Sequence, residues 1–228
     1  MQIKLENFVD ELIGGGLGNE SITTIYGPPG SGKSTICFEY ICRVLSLGKK
    51  VIYVDTEGGF STERVKLIDA NANLKNVVVF SPKDFEQQKS VIYSLTKEVK
   101  NSKNFGLIII DSLVMLYRLR LEGAPQKINS ELAEQLRALT EISRNLKIPV
   151  LVTNQMYTSF DTKQNKMVGG SLIEYWSKTI IEIEREGDNR KMVLKKHKFR
   201  KEGSEVHFEI KDGGLFEVKS RSFSFFRH

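Results

Sequence analysis

Gly27-Pro28-Pro29-Gly30-Ser31-Gly32-Lys33-Ser34 spells G-x-x-x-x-G-K-S, with Thr35 next in the chain. Glycines at this density let main-chain N–H groups close around an oxyanion. One ammonium and one hydroxyl, Lys33 and Ser34, follow directly. That set suits a nucleoside triphosphate: the amides of Gly27–Thr35 for phosphate oxygens, Lys33 for the β- and γ-phosphates, and Ser34 for Mg²⁺. The setting agrees. An apolar, β-favouring run (Ile22–Tyr26) leads in and a helix-compatible run (Thr35–Leu47) leads out. That strand–loop–helix context separates a working phosphate loop from a Gly-rich turn with an incidental lysine.

Three further segments end in groups that such a loop needs. Leu107-Ile108-Ile109-Ile110-Asp111 is an apolar run ending in a carboxylate. A strand-end acid opposite Ser34 is placed to hold Mg²⁺ through water, since open α/β sheets bind ligands at the carboxyl ends of their strands. Val51–Asp55, followed by Thr56-Glu57, supplies a candidate general base. Glu57, just past the strand, is the stronger candidate to orient and deprotonate a water. Asp55, inside the strand, is the competitor and is better suited to bonding nearby backbone. Val150–Asn154 runs into Gln155, a neutral amide that can hydrogen-bond a γ-phosphate but cannot act as base. The segment after it, 156–169, reads as irregular, so a phosphate contact there abuts a loop able to switch.

The elements that must position these groups alternate. Strand candidates are Ile22–Tyr26, Val51–Asp55, Val77–Phe80, Leu107–Asp111 and Pro149–Thr153. Helix candidates are Lys33–Leu47, Thr62–Ala70, Asp84–Lys100 and Ile128–Leu146. Consecutive apolar residues such as Leu107–Ile110 fit a strand covered on both faces. The alternation predicts an α/β fold with a mainly parallel sheet between helical layers. After Gly170 come shorter strand candidates, Lys178–Glu184, Lys191–His197, Glu205–Ile210 and Gly214–Val218. Gly187-Asp188-Asn189 and Asp212-Gly213-Gly214 are their turns, which predicts a C-terminal antiparallel extension of the same sheet.

Composition narrows the function classes. With 228 residues and 40% hydrophobic content the chain supports an ordinary core. No stretch approaches the roughly 18 apolar residues of a membrane span. Glu6, Asp10 and Glu11 interrupt the start where a signal peptide needs an apolar run, so a cytoplasmic protein is expected. Cys37 and Cys42 suggest buried core thiols rather than a disulfide framework. The net charge of +6, with twelve Lys/Arg against seven Asp/Glu after Glu184, favours a polyanionic partner such as nucleic acid.

Together these motifs resemble the RecA-type recombinases, particularly the archaeal and eukaryotic branch. Ile13-Gly14-Gly15-Gly16-Leu17 with Glu20-Ser21-Ile22-Thr23 resembles the approach to that family's ATPase core. Asp55-Thr56-Glu57-Gly58-Gly59-Phe60, with Glu63-Arg64, resembles its catalytic-glutamate segment. Val152-Thr153-Asn154-Gln155-Met156 and Gly169-Gly170 resemble the surroundings of its second DNA-binding loop. The resemblance covers roughly residues 10 to 185. It implies a RecA-like ATPase core spanning 1–228 as one domain, with ATP and Mg²⁺ as cofactors. Lys33, Glu57 and Gln155 then serve catalysis, Ser34 and Asp111 the metal, and Arg64 packs on adenine. Only about twelve residues precede the core, where recombinases carry a helical DNA-binding domain and a subunit-joining linker. That truncation implies an accessory paralogue with feeble hydrolysis, DNA binding without robust strand exchange, and self-association. The partners it implies are the main recombinase RadA and a Holliday-junction resolvase. Two departures stand out: Tyr175 and Trp176 replace a usual His, and Lys195–Lys201 replaces an acidic-Pro segment. Lys196, Lys198 and Arg200 are candidates either for a neighbour's nucleotide or for DNA backbone.

Two segments mix cations with aromatics, as single-strand binders do. One is Tyr117 to Lys127, with Arg118, Arg120 and Lys127. The other is Tyr157 to Lys166, with Phe160 and Lys163. Neither has a base-reading helix, so single-stranded DNA with little sequence preference is expected. The tail Ser222–Phe226 reads as an edge strand or a partner peptide. Three functions remain open at this point: an ATP-switched DNA-binding accessory of recombination and repair, a fast DNA-stimulated ATPase or strand-exchange enzyme, and a clock-type ATPase acting on protein partners.

Overall fold

The structure, a computed structural model, describes residues 2–102, 104–121, 125–158 and 165–218. Helix α1 (Phe8–Ile13) begins where the Asn7 side chain accepts from the Val9 N–H at 3.0 Å, and ends at Gly14. β1 (Ile22–Tyr26) then runs into the phosphate loop and α2 (Lys33–Ser46). β2 (Lys50–Asp55), α3 (Thr62–Ile68), β3 (Val77–Phe80), α4 (Phe85–Asn101) and β4 (Phe105–Asp111) follow. Next come α5 (Met115–Arg120), α6 (Pro125–Leu146) and β5 (Val150–Asn154). A short hairpin, β6 (Met156–Thr158) with β7 (Asn165–Met167), precedes α7 (Gly170–Trp176). The chain closes with β8 (Ser177–Glu186), β9 (Asn189–Lys196), β10 (Glu205–Lys211) and β11 (Gly214–Glu217).

Nine strands form one sheet in the order β11-β10-β9-β8-β1-β5-β4-β2-β3. β8, β1, β5, β4, β2 and β3 run parallel to one another, and β9, β10 and β11 extend the sheet from β8 in antiparallel pairs. Successive residues of the central strands face opposite ways and feed two separate cores. Val51, Tyr53, Leu107, Ile109 and Leu151 pack with α1, α2 and α3. Ile52, Val54, Ile108, Ile110, Val150 and Val152 pack with α4, α5, α6 and α7. This double coverage is why the runs look uniformly apolar, and it confirms the expected α/β class and antiparallel extension.

Some segments differ from expectation. Of the cation-aromatic segment that starts at Tyr117, Tyr117, Arg118 and Arg120 lie on α5, and Lys127 lies on the first turn of α6. Apolar burial of Leu116 and Tyr117 stabilises a helix too short to stand alone. Residues 156–158 and 165–167 pair as a hairpin instead of a coil, and Gly170–Trp176 is helical. Tyr117 is buried, and its hydroxyl donates to Asn129 Oδ1 at 2.5 Å, so its ring does not offer a face to a base.

The register brings the carboxyl ends of β1, β2, β4 and β5 to one rim: Tyr26 pairs with Asn154, and Asp55 with Asp111. Ile109 is fully buried in the middle of that rim's support. Ile109→Ala should lower the free energy of unfolding by about 2–5 kcal/mol in a urea titration. A loss under about 1 kcal/mol would contradict a close-packed sheet–helix interface.

Candidate nucleotide and nucleic-acid site

The phosphate loop has no room for side chains at two of its glycines. A Cβ on Gly27 would lie 2.6 Å from the Ile183 carbonyl oxygen, and one on Gly32 would lie 2.3 Å from Ile210 Cδ1. Gly32 is also left-handed, at φ 101°, and caps α2 without a side-chain hydrogen bond. The first-turn amides of α2, on Lys33, Ser34 and Thr35, are therefore left for an external anion, with the helix's partial positive charge behind them. Among the described residues the buried Ser31 Oγ, in the same loop, has no hydrogen-bond partner. Lys33 Nζ donates to the carbonyls of Gly27 and Pro28, each at 3.0 Å. This cradle fits a polyphosphate.

Asp111 is the hub of the rim. It is 5% exposed, and it accepts hydrogen bonds from Ser34 Oγ at 2.7 Å, Tyr53 Oη at 2.5 Å and Thr153 Oγ1. Burial and the adjacent Asp111 carboxylate push the Tyr53 hydroxyl up, so it stays a donor. Among the described residues no group of three His, Cys, Asp or Glu side chains could hold a metal. Mg²⁺ commonly uses one or two protein ligands with phosphate and water, which matches the Ser34–Asp111 pair.

Glu57 stands across the rim. Its Oε1 accepts from Ser112 Oγ at 2.6 Å and from Gln155 Nε2 at 2.8 Å. Gln155 Oε1 in turn accepts from Arg118 Nη1 at 2.5 Å. Asp55 faces away from this work. Its carboxylate accepts the backbone N–H groups of Glu57, Gly58, Gly59 and Phe60 at 2.8–3.2 Å, so it shapes the turn that carries Glu57.

The remaining sequence candidates are spread around this rim and beyond it. Arg64 reaches the turn after β10: Nη2 donates to the Lys211 carbonyl at 3.5 Å, and Nη1 lies 3.8 Å from Asp212. Lys196 Nζ donates to the Glu174 carbonyl at 2.5 Å, Lys198 Nζ sits 4.9 Å from the Phe199 ring centroid, and Arg200 donates to the Glu11 carbonyl at 2.5 Å. Arg120 has Glu86 at 3.8 Å, and Lys127 has Glu131 at 4.0 Å. Tyr157 and Lys166 are exposed and opposite each other on the β6–β7 hairpin. Phe160, Lys163 and the tail 222–226 lie outside the described residues. Tyr175 is 73% exposed and stands edge-on to Trp176.

Several site residues were not among the sequence candidates. Tyr53, Thr153 and Ser112 supply hydroxyls to the two carboxylates. They stand in the strand runs Val51–Asp55 and Val150–Asn154 and directly after Asp111, where residue type alone marks no role. Arg190 and Ile210 pack beside Gly32, and Arg185 Nη1 lies 3.8 Å from a Cβ built on Gly30. No local pattern marks them, because they arrive from the antiparallel extension.

A family model described as Rad51 matches residues 5–218. A DNA repair and recombination protein RadB of Methanosphaera stadtmanae is 38% identical over 220 residues, 93% of this chain and 94% of the relative. The protein of the same description from Methanococcus maripaludis is 39% identical over 221 residues, 94% of this chain and 99% of the relative. A crystal structure of the RadB recombinase matches with a TM-score of 0.79 and 34% identity, over 95% of this chain and 100% of that one.

Burial lowers the Lys33 ammonium below the ordinary lysine value of 10.5, while Glu57 and Asp111 pull the other way. Between the lowered value and 10.5 the unfolded chain holds this proton and the folded chain does not. Stability contributed by Lys33 therefore rises with pH across that window. The stability difference between wild type and Lys33→Met should shift toward wild type as pH climbs from 7 to 10.5 in denaturant titrations without nucleotide. A difference that stays flat over that range would show that the ammonium is not desolvated.

Proposed function

We propose a function that starts from one premise: the chain belongs to the Rad51 family. On this reading it is an ATP- and Mg²⁺-binding, DNA-binding accessory of DNA repair and recombination, with slow hydrolysis and without robust strand exchange. The 1–228 stretch works as one RecA-like core. The names of the similar proteins, DNA repair and recombination protein RadB, support the process. The cradle supports the cofactor: main-chain amides of Gly27–Thr35 and Lys33 for the phosphates, Ser34 and Asp111 for the metal. ATP bound there supplies a terminal phosphoryl group open to attack by water.

The observation that carries the reading is the position of Gln155. Its carboxamide bonds Glu57, and two residues on, the chain is already in the β6–β7 hairpin with exposed Tyr157 and Lys166. A side chain at the nucleotide rim and a basic-aromatic surface thus share one backbone joint. Gln155 turning toward a terminal phosphate re-aims that joint. Glu57 Oε1 already accepts two hydrogen bonds, which fill its two in-plane lone pairs. The other carboxylate oxygen, Oε2, is then the one placed to take a proton from an attacking water.

DNA affinity measured at one fixed salt concentration should be tighter with ATP than with ADP or no nucleotide. Three equal values would remove the switch. Glu57→Gln should retain ATP affinity while turnover falls by about 100-fold or more, the usual range for loss of a general base. Unchanged turnover in a phosphate-release assay would move the base elsewhere.

A further inference from the structure

We propose that Arg118 is a positioning residue that exchanges Gln155 for a nucleic-acid phosphate, and so couples the nucleotide rim to DNA. The inference rests on the ATP-switched reading above and names the side chain that transmits the switch.

The geometry defines the exchange. Gln155 sits between a cation and an anion: Oε1 accepts from the Arg118 guanidinium at 2.5 Å, and Nε2 donates to Glu57 at 2.8 Å. The opposite amide orientation would set NH₂ against the guanidinium and the carbonyl oxygen against the carboxylate. Arg118 and Glu57 therefore lock the carboxamide in one of its two states. Among the described residues the second donor position of Nε2 has only the Met115 thioether, at 3.5 Å. Sulfur is a weak acceptor, so a phosphate oxygen displaces it readily.

The other end of the bond is equally exchangeable. Arg118 is exposed on α5, and among the described residues its acceptor is an uncharged amide. Arg120, two residues on, has the Glu86 carboxylate at 3.8 Å instead. A guanidinium bonded to a neutral group keeps its whole charge. Moving it to a phosphodiester gains a charge-assisted, potentially bidentate contact. While Gln155 holds Arg118, DNA is denied this cation. When Gln155 turns its carboxamide toward the nucleotide, Arg118 is released to DNA. By reciprocity, DNA that captures Arg118 frees Gln155 for the nucleotide by the same factor.

The experiment measures single-stranded DNA affinity with ATP and with ADP at fixed salt, for wild type, Arg118→Ala, Arg118→Lys, Gln155→Ala and the Arg118→Ala/Gln155→Ala double variant. The readout is the ratio of the two affinities, which cancels any uniform loss of a DNA contact. Wild type should favour ATP by about fivefold or more, within the usual span of allosteric coupling. Arg118→Ala and Gln155→Ala should each bring the ratio to within about twofold of one. The double variant should go no further, because both changes cut one connection. Arg118→Lys keeps a cation that can still bond one carbonyl, so it should recover part of the ratio, which also separates coupling from misfolding. A wild-type ratio retained by Arg118→Ala, or single effects that add in the double variant, overturns the role of Arg118. A ratio of one in wild type overturns the nucleotide switch itself.

Discussion

The rim is organised by one buried carboxylate. Asp111, at the end of β4, takes hydroxyl donors from α2 (Ser34), β2 (Tyr53) and β5 (Thr153). Three elements are thereby referenced to a fourth at the place where the phosphate loop leaves the sheet. A carboxylate this desolvated is tolerated because its acceptor sites are filled; each donor removed would leave charge in a medium that cannot solvate it. Hydroxyl donors also keep the cluster negative, where lysine or arginine would have neutralised it. A net anionic hub beside the Ser34 hydroxyl is what a divalent cation requires, and the same hub draws Lys33 toward the phosphate loop.

A second carboxylate, Asp55, acts in the opposite sense. It caps four successive backbone N–H groups and so bends the chain after β2 into a fixed turn. The two acids end neighbouring, in-register strands, yet only Asp111 addresses the nucleotide rim. Asp55 spends its charge on the main chain, and Glu57, two residues later, is delivered to the rim as a result. The needs of the backbone after the strand therefore decide which acid of the Asp-Thr-Glu run is committed to the main chain and which faces the rim.

The central strands were readable because they are buried on both faces. Ile22–Tyr26 and Val77–Phe80 begin and end where the apolar pattern does, and the long helices α2, α4 and α6 carry enough periodic apolar residues to stand out. Of the described short helices, α3 stood out, as Thr62–Ala70, and three others did not. α1, α5 and α7 have six or seven residues each, too few for propensity or periodicity to signal, and they exist because Phe8, Leu116, Tyr117 and Ile173 find partners far away in the chain. At the site, the glycines, Lys33, Glu57 and Asp111 were legible from spacing. Tyr53 and Thr153 were not, since both are ordinary strand formers and only the register with β4 turns their hydroxyls toward Asp111. Net charge was a partial guide. Lys191 lies within 3.0–3.7 Å of Glu184, Glu186 and Glu205, and Lys195 and Lys211 also have carboxylates. Much of the basic character of the C-terminal segment is spent inside the chain.

The phosphate loop keeps its shape because Lys33 holds it from within. Its ammonium bonds the carbonyls of Gly27 and Pro28, the two residues that begin the loop it closes. Burial that costs this ammonium part of its hydration is also what makes it a strong anion ligand, since an incoming phosphate does not have to strip a full water shell from it. Two neutral carbonyls are poorer partners than a phosphate oxygen, so the exchange runs toward the anion once one arrives. Glu57 and Asp111 oppose the lowering that burial imposes on this ammonium. The loop, the lysine and the two acids therefore form one electrostatic unit: the acids hold the cation, the cation holds the loop, and the loop offers its amides. A substitution in any one of them is felt by the other two before any nucleotide is bound.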